Sequence, residues 1–255
     1  MITINFKSIQ IPVLASAKGW LVVDKPAGLT VHNDIGRDLH TITFDYIQKK
    51  PLLFKHVCLD ADFGIHPVHR LDKDTSGVLL LAADQKTFRF FSKQFESRKV
   101  QKRYIAILHG PISAYKTDTP SETDHLWEIW QCPLAKNAGG RKNPAGNGQK
   151  QTSQTRYRIM EQSAHYTLVE IELLTGRKHQ IRRHAKLSGH PVVGDARYGS
   201  TRAVNFLKTN FGFDRLGLHA HSLTFQKPGE QGTQTIETSG IPGQMQGLFE
   251  NDNII

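Results

Sequence analysis

Apolar residues fall along this chain in two rhythms. Unbroken runs, Trp20-Leu21-Val22-Val23 and Val78-Leu79-Leu80-Leu81-Ala82-Ala83, predict buried strands, each bounded by turn residues such as Lys25-Pro26-Ala27-Gly28. Further strands are predicted over 101–108, 123–131, 216–225 and 233–238, with 155–160 and 166–174 as a hairpin. A spacing of three and four at Leu39, Ile42, Tyr46 and Ile47 predicts a helix over 38–50 that Pro51 ends. Phe88, Phe91 and Phe95 repeat that spacing in a helix over 84–98, capped by Asp84, with Lys86, Arg89, Lys93 and Arg98 off the apolar stripe. Two more helices are expected, one over 175–189 from a Thr175 cap to Gly189 and a short one near 201–209. Strands outnumber helices, and neither repeats nor long linkers interrupt them. The predicted class is α+β, a single domain over 19–255 with a central, mostly antiparallel twisted sheet flanked by helices, preceded by an extension over 1–18.

Charge changes the picture more than composition does. Among 255 residues, 33 Lys and Arg against 23 Asp and Glu leave a net charge of +10, which suits a polyanionic partner. Nucleic acid fits better than an anionic membrane, because no amphipathic helix with an exposed aromatic and leucine face accompanies the charge. The densest patch is 175–189, where Lys178, Arg182 and Lys186 recur every four residues with Arg183 alongside and no acidic residue between. It reads either as a solvated helix face or as a phosphate-contacting one. The Gly, Asn and Lys-rich stretch 137–151 reads as a flexible loop able to touch RNA, not as a phosphate loop, since Gly-x4-Gly-Lys-Ser/Thr is absent.

Other classes lose support. No apolar run approaches the roughly 20 residues that span a bilayer, and the N-terminus lacks signal-peptide zoning, which gives a cytoplasmic expectation. Cys58 and Cys132 stand far apart without a CxxC partner, so neither a disulfide framework nor a zinc site is expected. His56, His66 and His69 have no i,i+4 pairing and no cysteine cluster nearby, and no metal is expected on them.

The segment His69-Arg70-Leu71-Asp72-Lys73-Asp74-Thr75-Ser76-Gly77 sets a carboxylate two residues after an arginine, on a polar turn directly before the longest apolar strand. Reactive groups concentrate on loops so supported. Asp72 and Asp74 can equally serve the backbone of their own turn, and Tyr104 can be ordinary packing.

Together with Lys102-Arg103-Tyr104 and Thr175-Gly176-Arg177-x-His179-Gln180-Ile181-Arg182, that segment resembles the three ordered motifs of the RluA-type family of RNA pseudouridine synthases. Asp24-Lys25-Pro26-Ala27-Gly28, His190-Pro191-x-x-Gly194-Asp195 and Leu218-His219-Ala220 extend the resemblance from about residue 20 to 228. It implies the pseudouridine synthase fold, with an eight-stranded sheet, and an isomerase that turns specific uridines of a tRNA or ribosomal RNA stem-loop into pseudouridine. Neither cofactor nor metal is implied, and no protein partner. The nucleophile falls on Asp72. Tyr104 becomes the active-site tyrosine that stacks on uracil or takes the C5 proton, and Arg177 the arginine paired with the carboxylate, which would hold it ionised. The target nucleotide flips out of its stack, Arg70 occupies the vacated space, and His69, Lys178, Arg182, Arg183 and Lys186 join it in binding RNA.

Many relatives carry an S4-type RNA-binding module, for which the residues before 19 are too few, so none is expected and selection of RNA falls to the catalytic domain. The doubled Arg182-Arg183 and the glycine-rich loop depart from the common family pattern. Two other readings compete: a catalytically inactive RNA-binding or ribosome-assembly factor of the same fold, and a hydrolase using Asp72 and Asp74 as paired carboxylates. Intact Asp72, Tyr104 and Arg177 speak against the first, and the adjacency of both acids in one turn against the second.

Overall fold

The computed structural model describes residues 2–112 and 127–252. The chain begins with strands β1 (Ile2–Phe6), β2 (Ile9–Ala17) and β3 (Trp20–Lys25), then helices α1 (Leu39–Gln48) and α2 (Pro51–Val57). Next come β4 (His66–Pro67), β5 (Ser76–Ala82), α3 (Gln85–Glu96) and β6 (Gln101–His109). Short strands β7 (Glu128–Trp130), β8 (Leu134–Ala135) and β9 (Lys150–Gln151) precede the hairpin β10 (Thr155–Gln162) and β11 (Tyr166–Leu173). Helices α4 (Gln180–Leu187) and α5 (Thr201–Phe211), strands β12 (Leu218–Gln226) and β13 (Thr233–Glu237), and helix α6 (Gly243–Asn251) complete it. The α+β class and the mostly antiparallel pairing hold. Of the strand predicted over 123–131, residues 123–126 lie outside the described residues. No helix among the described residues is long and apolar enough to cross a membrane.

The chain divides into two compact units, Met1–Lys102 with Ala220–Gly240, and Arg103–His219 with Ile241–Ile255. In the first, the sheet runs β1-β2-β3-β5-β12, with β4 beside β5 and β13 beside β12. The described part of the expected extension supplies its first two strands, Ile2–Phe6 and Ile9–Ala17. Ile4 faces Ile11 across the β1–β2 pair, and both are buried with Val13, whereas the polar residues between them point outward. Strand β5 is buried along its whole length, as its unbroken apolar run requires. Helix α3, capped by Asp84 through the Thr87 N–H at 2.8 Å, sets Phe91 edge-on against Trp20 and Phe225. Pro51 does more than end a helix: it occupies the first turn of α2, where its missing N–H costs nothing.

In the second unit, the sheet runs β6-β11-β10-β7, and β8 pairs β9 separately. Tyr104 of β6 stands opposite Ile171 of β11. Ile105, Ile107 and Leu168 form an apolar cluster with Leu207 of α5 and Met245, Leu248 and Phe249 of α6. Helix α4 is shorter than the 175–189 expected; Thr175 does not cap it, and His179, in the left-handed region at φ 54°, stands at its start.

Candidate active site

In the first unit, the signature turn is held from beneath. Lys25 is fully buried at the end of β3, and its Nζ donates to the carbonyls of Pro26 (2.8 Å), Leu29 (2.8 Å) and Lys73 (2.9 Å). The Gly28 N–H reaches the same Lys73 carbonyl at 3.0 Å. One ammonium thus ties the Lys25-Pro26-Ala27-Gly28 turn to the Asp72 turn, which the Thr75 N–H closes onto the Asp72 carbonyl at 3.2 Å. Immediately behind, Gly77 at φ +115° lies so close to β12 that a Cβ would sit 2.1 Å from the Ala220 carbonyl oxygen. Only glycine permits that approach. The result is a half-buried Asp72 on a turn anchored at both ends, with Arg70, Lys73 and Asp74 exposed around it.

His69 belongs to this scaffold. Its ring stacks on Phe95 at 4.8 Å, and its Nε2 accepts the Leu80 N–H at 3.1 Å. Burial, with Lys102 adding repulsion, pushes its pKa down to about 3, so the ring is the neutral acceptor that this bond requires.

In the second unit, Gln180 organises the third motif. Its side chain is buried and makes four hydrogen bonds: Oε1 accepts from the Thr175 hydroxyl (2.8 Å) and the Arg177 N–H (2.9 Å), and Nε2 donates to the Gln154 carbonyl and the Thr155 hydroxyl (2.9 Å each). Arg177 is thereby fixed by its backbone while its half-buried guanidinium reaches the Thr152 carbonyl from Nε at 3.4 Å. Thr155 passes the network to His184, which also meets the Cys132 carbonyl at 2.9 Å. Burial lowers the His184 pKa and keeps that ring neutral. Tyr104 is 7% exposed on the face of β6 that also carries Ala106.

The expected exposed face of Lys178, Arg182 and Lys186 is not what α4 presents. Arg182 is buried, and its Nε and Nη2 bind the two carboxylate oxygens of Asp195 at 2.7 and 2.8 Å. Asp195 also accepts the N–H groups of Arg197 and Tyr198, and the Arg182 guanidinium lies 5.3 Å from the Tyr198 ring centroid. Arg183, 0% exposed, donates to the carbonyls of Ala135, Pro144, Ala145 and Lys178. Inside, neither arginine faces solvent. Lys178 remains exposed and Lys186 half-buried. The physical reason lies in tertiary partners, a carboxylate thirteen residues on and a ring of loop carbonyls, which helical spacing cannot reveal.

Lys25 in the first unit, and Gln180 and Asp195 in the second, are therefore supports of the motifs within their own units, roles that residue pattern left unassigned although each sits inside a quoted motif. Among the described residues, no group of three or more His, Cys, Asp or Glu is gathered as a metal would need, and Cys58 and Cys132 are free thiols.

A family model described as RNA pseudouridylate synthase matches residues 19–187. The ribosomal large subunit pseudouridine synthase C of Buchnera aphidicola subsp. Schizaphis graminum is 37% identical over 210 residues, covering 82% of this chain and 60% of the relative. The tRNA pseudouridine synthase C of Haemophilus ducreyi is 32% identical over 233 residues, covering 86% of this chain and 87% of the relative. The chain thus spans about 60% of the length of the ribosomal relatives it matches. Among solved structures, human RNA pseudouridylate synthase domain containing 4 superposes with a TM-score of 0.68 at 25% identity, covering 92% of this chain and 90% of that one. Human RNA pseudouridylate synthase domain containing 1 gives 0.67 at 23% identity, covering 90% and 83%, a likeness of fold.

Proposed function

The chain belongs to the RNA pseudouridylate synthase family, and from that premise we propose that it isomerises uridine to pseudouridine within structured RNA, a tRNA or ribosomal RNA stem-loop. In this reaction the N1–C1′ bond breaks, the uracil turns, and a C5–C1′ bond forms; the C5 proton leaves and N1 gains one. Nothing is oxidised and no group is lost. Asp72 serves as the nucleophile that engages the target nucleotide. Tyr104 stacks on the uracil or receives the C5 proton, and Arg177 supplies the cation that the family motif pairs with its aspartate.

A base inside a stem cannot reach such a carboxylate, so the nucleotide flips out at a cost of a few kcal/mol. Exposed Arg70, two residues before Asp72, takes the vacated space. The observation that carries the reading is the Asp72 turn itself: a half-buried carboxylate on a turn fixed from beneath by a fully buried ammonium, in a chain of net charge +10. A protein that only bound RNA would gain nothing from a rigidly presented carboxylate, which repels phosphate.

Nucleoside analysis of digested tRNA and ribosomal RNA, taken from cells lacking the protein and incubated with it, tests this. Pseudouridine gained at uridine's expense is the expected result. Free uracil would instead establish a hydrolase, and bound but unaltered RNA would establish a binding factor.

A further inference from the structure

Residues 129–160 contain no Asp or Glu but six Lys and Arg. Two of the six are neutralised, Arg156 by Glu172 and Arg158 by Glu170. The other four, Lys136, Arg141, Lys142 and Lys150, are exposed, and none forms an ion pair among the described residues. Single cations on a protein surface mean little. Here they share one folded loop.

That loop is not the flexible segment its composition predicts. Strands β8 and β9 pair across its base, and Arg183 fills its centre. The guanidinium donates from Nε to Pro144 (2.6 Å), from Nη1 to Ala135 (3.1 Å) and Lys178 (3.2 Å), and from Nη2 to Ala135 (3.1 Å) and Ala145 (2.6 Å), always to carbonyl oxygens. Arg197 adds bonds to the carbonyls of Ala138 (2.9 Å) and Gly139 (3.1 Å), and Arg141 reaches the Thr201 hydroxyl at 2.9 Å. The packing leaves no room at Gly139 or Gly146, where a Cβ would come within 2.0 Å of the Asn143 carbonyl and 2.3 Å of the Asn137 carbonyl. Carbonyl dipoles converge inward on Arg183, and the lysines are left outside. Lys178, whose carbonyl is one of those five contacts, continues the exposed cationic surface.

We propose that the 136–150 loop, folded around Arg183, is a preformed phosphate-binding surface for the backbone of the RNA substrate. Lys136, Arg141, Lys142 and Lys150 are its contacts, and Arg183 is a positioning residue that never touches RNA. The inference rests on the RNA pseudouridine synthase reading and adds to it the place where backbone is held. A loop already in its bound shape gives up little entropy on binding, so each phosphate contact counts nearly in full.

The test is binding of unfractionated tRNA across a salt series. A Lys136→Ala, Lys142→Ala, Lys150→Ala triple variant should bind at least about tenfold more weakly at low salt. Its slope of log K against log salt should be shallower by about 2 to 3, the loss of roughly three neutralised phosphates. Arg183→Met should flatten the slope likewise and open a new protease cut within 137–149 that the wild type resists. Unchanged affinity and slope in the triple variant would overturn the surface; a protease-resistant loop in Arg183→Met would overturn its positioning role. If Arg183→Met does not fold, the triple variant decides. An isomerising wild type with an unaltered triple variant rejects this inference alone, whereas a wild type that binds tRNA without isomerising any RNA rejects the enzyme reading and leaves the slope comparison standing.

Discussion

The Asp72 turn and the 175–187 stretch are both crowded with charge in sequence, and they fold that charge in opposite directions. Around Asp72 the local charges stay outside: Arg70, Lys73 and Asp74 are exposed, and the one buried ion beneath the turn, Lys25, comes from a distant strand. Along α4 the two arginines go inside, where Arg182 meets Asp195 and Arg183 meets a ring of carbonyls, while Lys186 stays half-buried. The difference teaches what a buried cation is for. A lysine offers one point of charge and gathers three carbonyls around it, enough to pin a turn. A guanidinium offers a planar fork of donors and can rivet a helix to a whole loop. Lys25 and Arg183 act on backbone carbonyls, whereas Arg182 is spent on the Asp195 carboxylate.

Changes at these ions break the comparison in order of severity. Arg182→Met should be the most damaging, because it strands the fully buried carboxylate of Asp195; a loss of about 3 to 5 kcal/mol is expected in denaturant unfolding. Lys25→Met should cost about 2 to 3 kcal/mol by leaving carbonyls unsatisfied. It should also lower turnover more than a surface change of equal stability cost, since it releases the Asp72 turn; turnover equal to that of such a control would separate the turn from the reaction. Gln180→Ala should destabilise by about 1 to 3 kcal/mol, read as a fall in melting temperature. Gln180→Glu would sharpen the point: it keeps the shape but loses the donors to Gln154 and Thr155.

A separate effect, set by solution pH and not by a lost contact, is expected at His69. In the fold its proton binds only near pH 3, whereas in the unfolded chain it binds near 6.5. Between those values the unfolded chain holds more protons, so stability falls as pH drops from about 6.5 toward 3, by at most about 1.4 kcal/mol per pH unit. Urea unfolding at pH 7 and pH 5 should show a smaller loss for His69→Gln than for the wild type.

Much of this was readable from the residues. Strands β3 and β5 announced themselves as unbroken apolar runs, and α3 by its cap and its phenylalanine spacing, because local pattern decides elements of that kind. Strands β1 and β2 did not, since Ile4, Ile11 and Val13 are too sparse among polar neighbours to show a period, and their burial comes from tertiary neighbours, among them α1 against β1 and α2 against β2. Asp72, Tyr104 and Arg177 stood out through ordered motifs. The roles of Lys25, Gln180 and Asp195 did not, although those residues sit in the same motifs, because a role as clamp is defined by carbonyls and hydroxyls far away in sequence. The same holds for Arg183, whose burial depends on a loop some forty residues earlier.

The most direct test is tritium release from RNA labelled at uridine C5, with wild-type protein and Asp72→Ala side by side. The wild type should release tritium from the tRNA or the ribosomal RNA pool, and Asp72→Ala should fall by at least about 10³-fold while still binding RNA. Release by Asp72→Ala at a rate near that of the wild type would contradict the account, for the carboxylate that the turn presents would then have no part in the reaction.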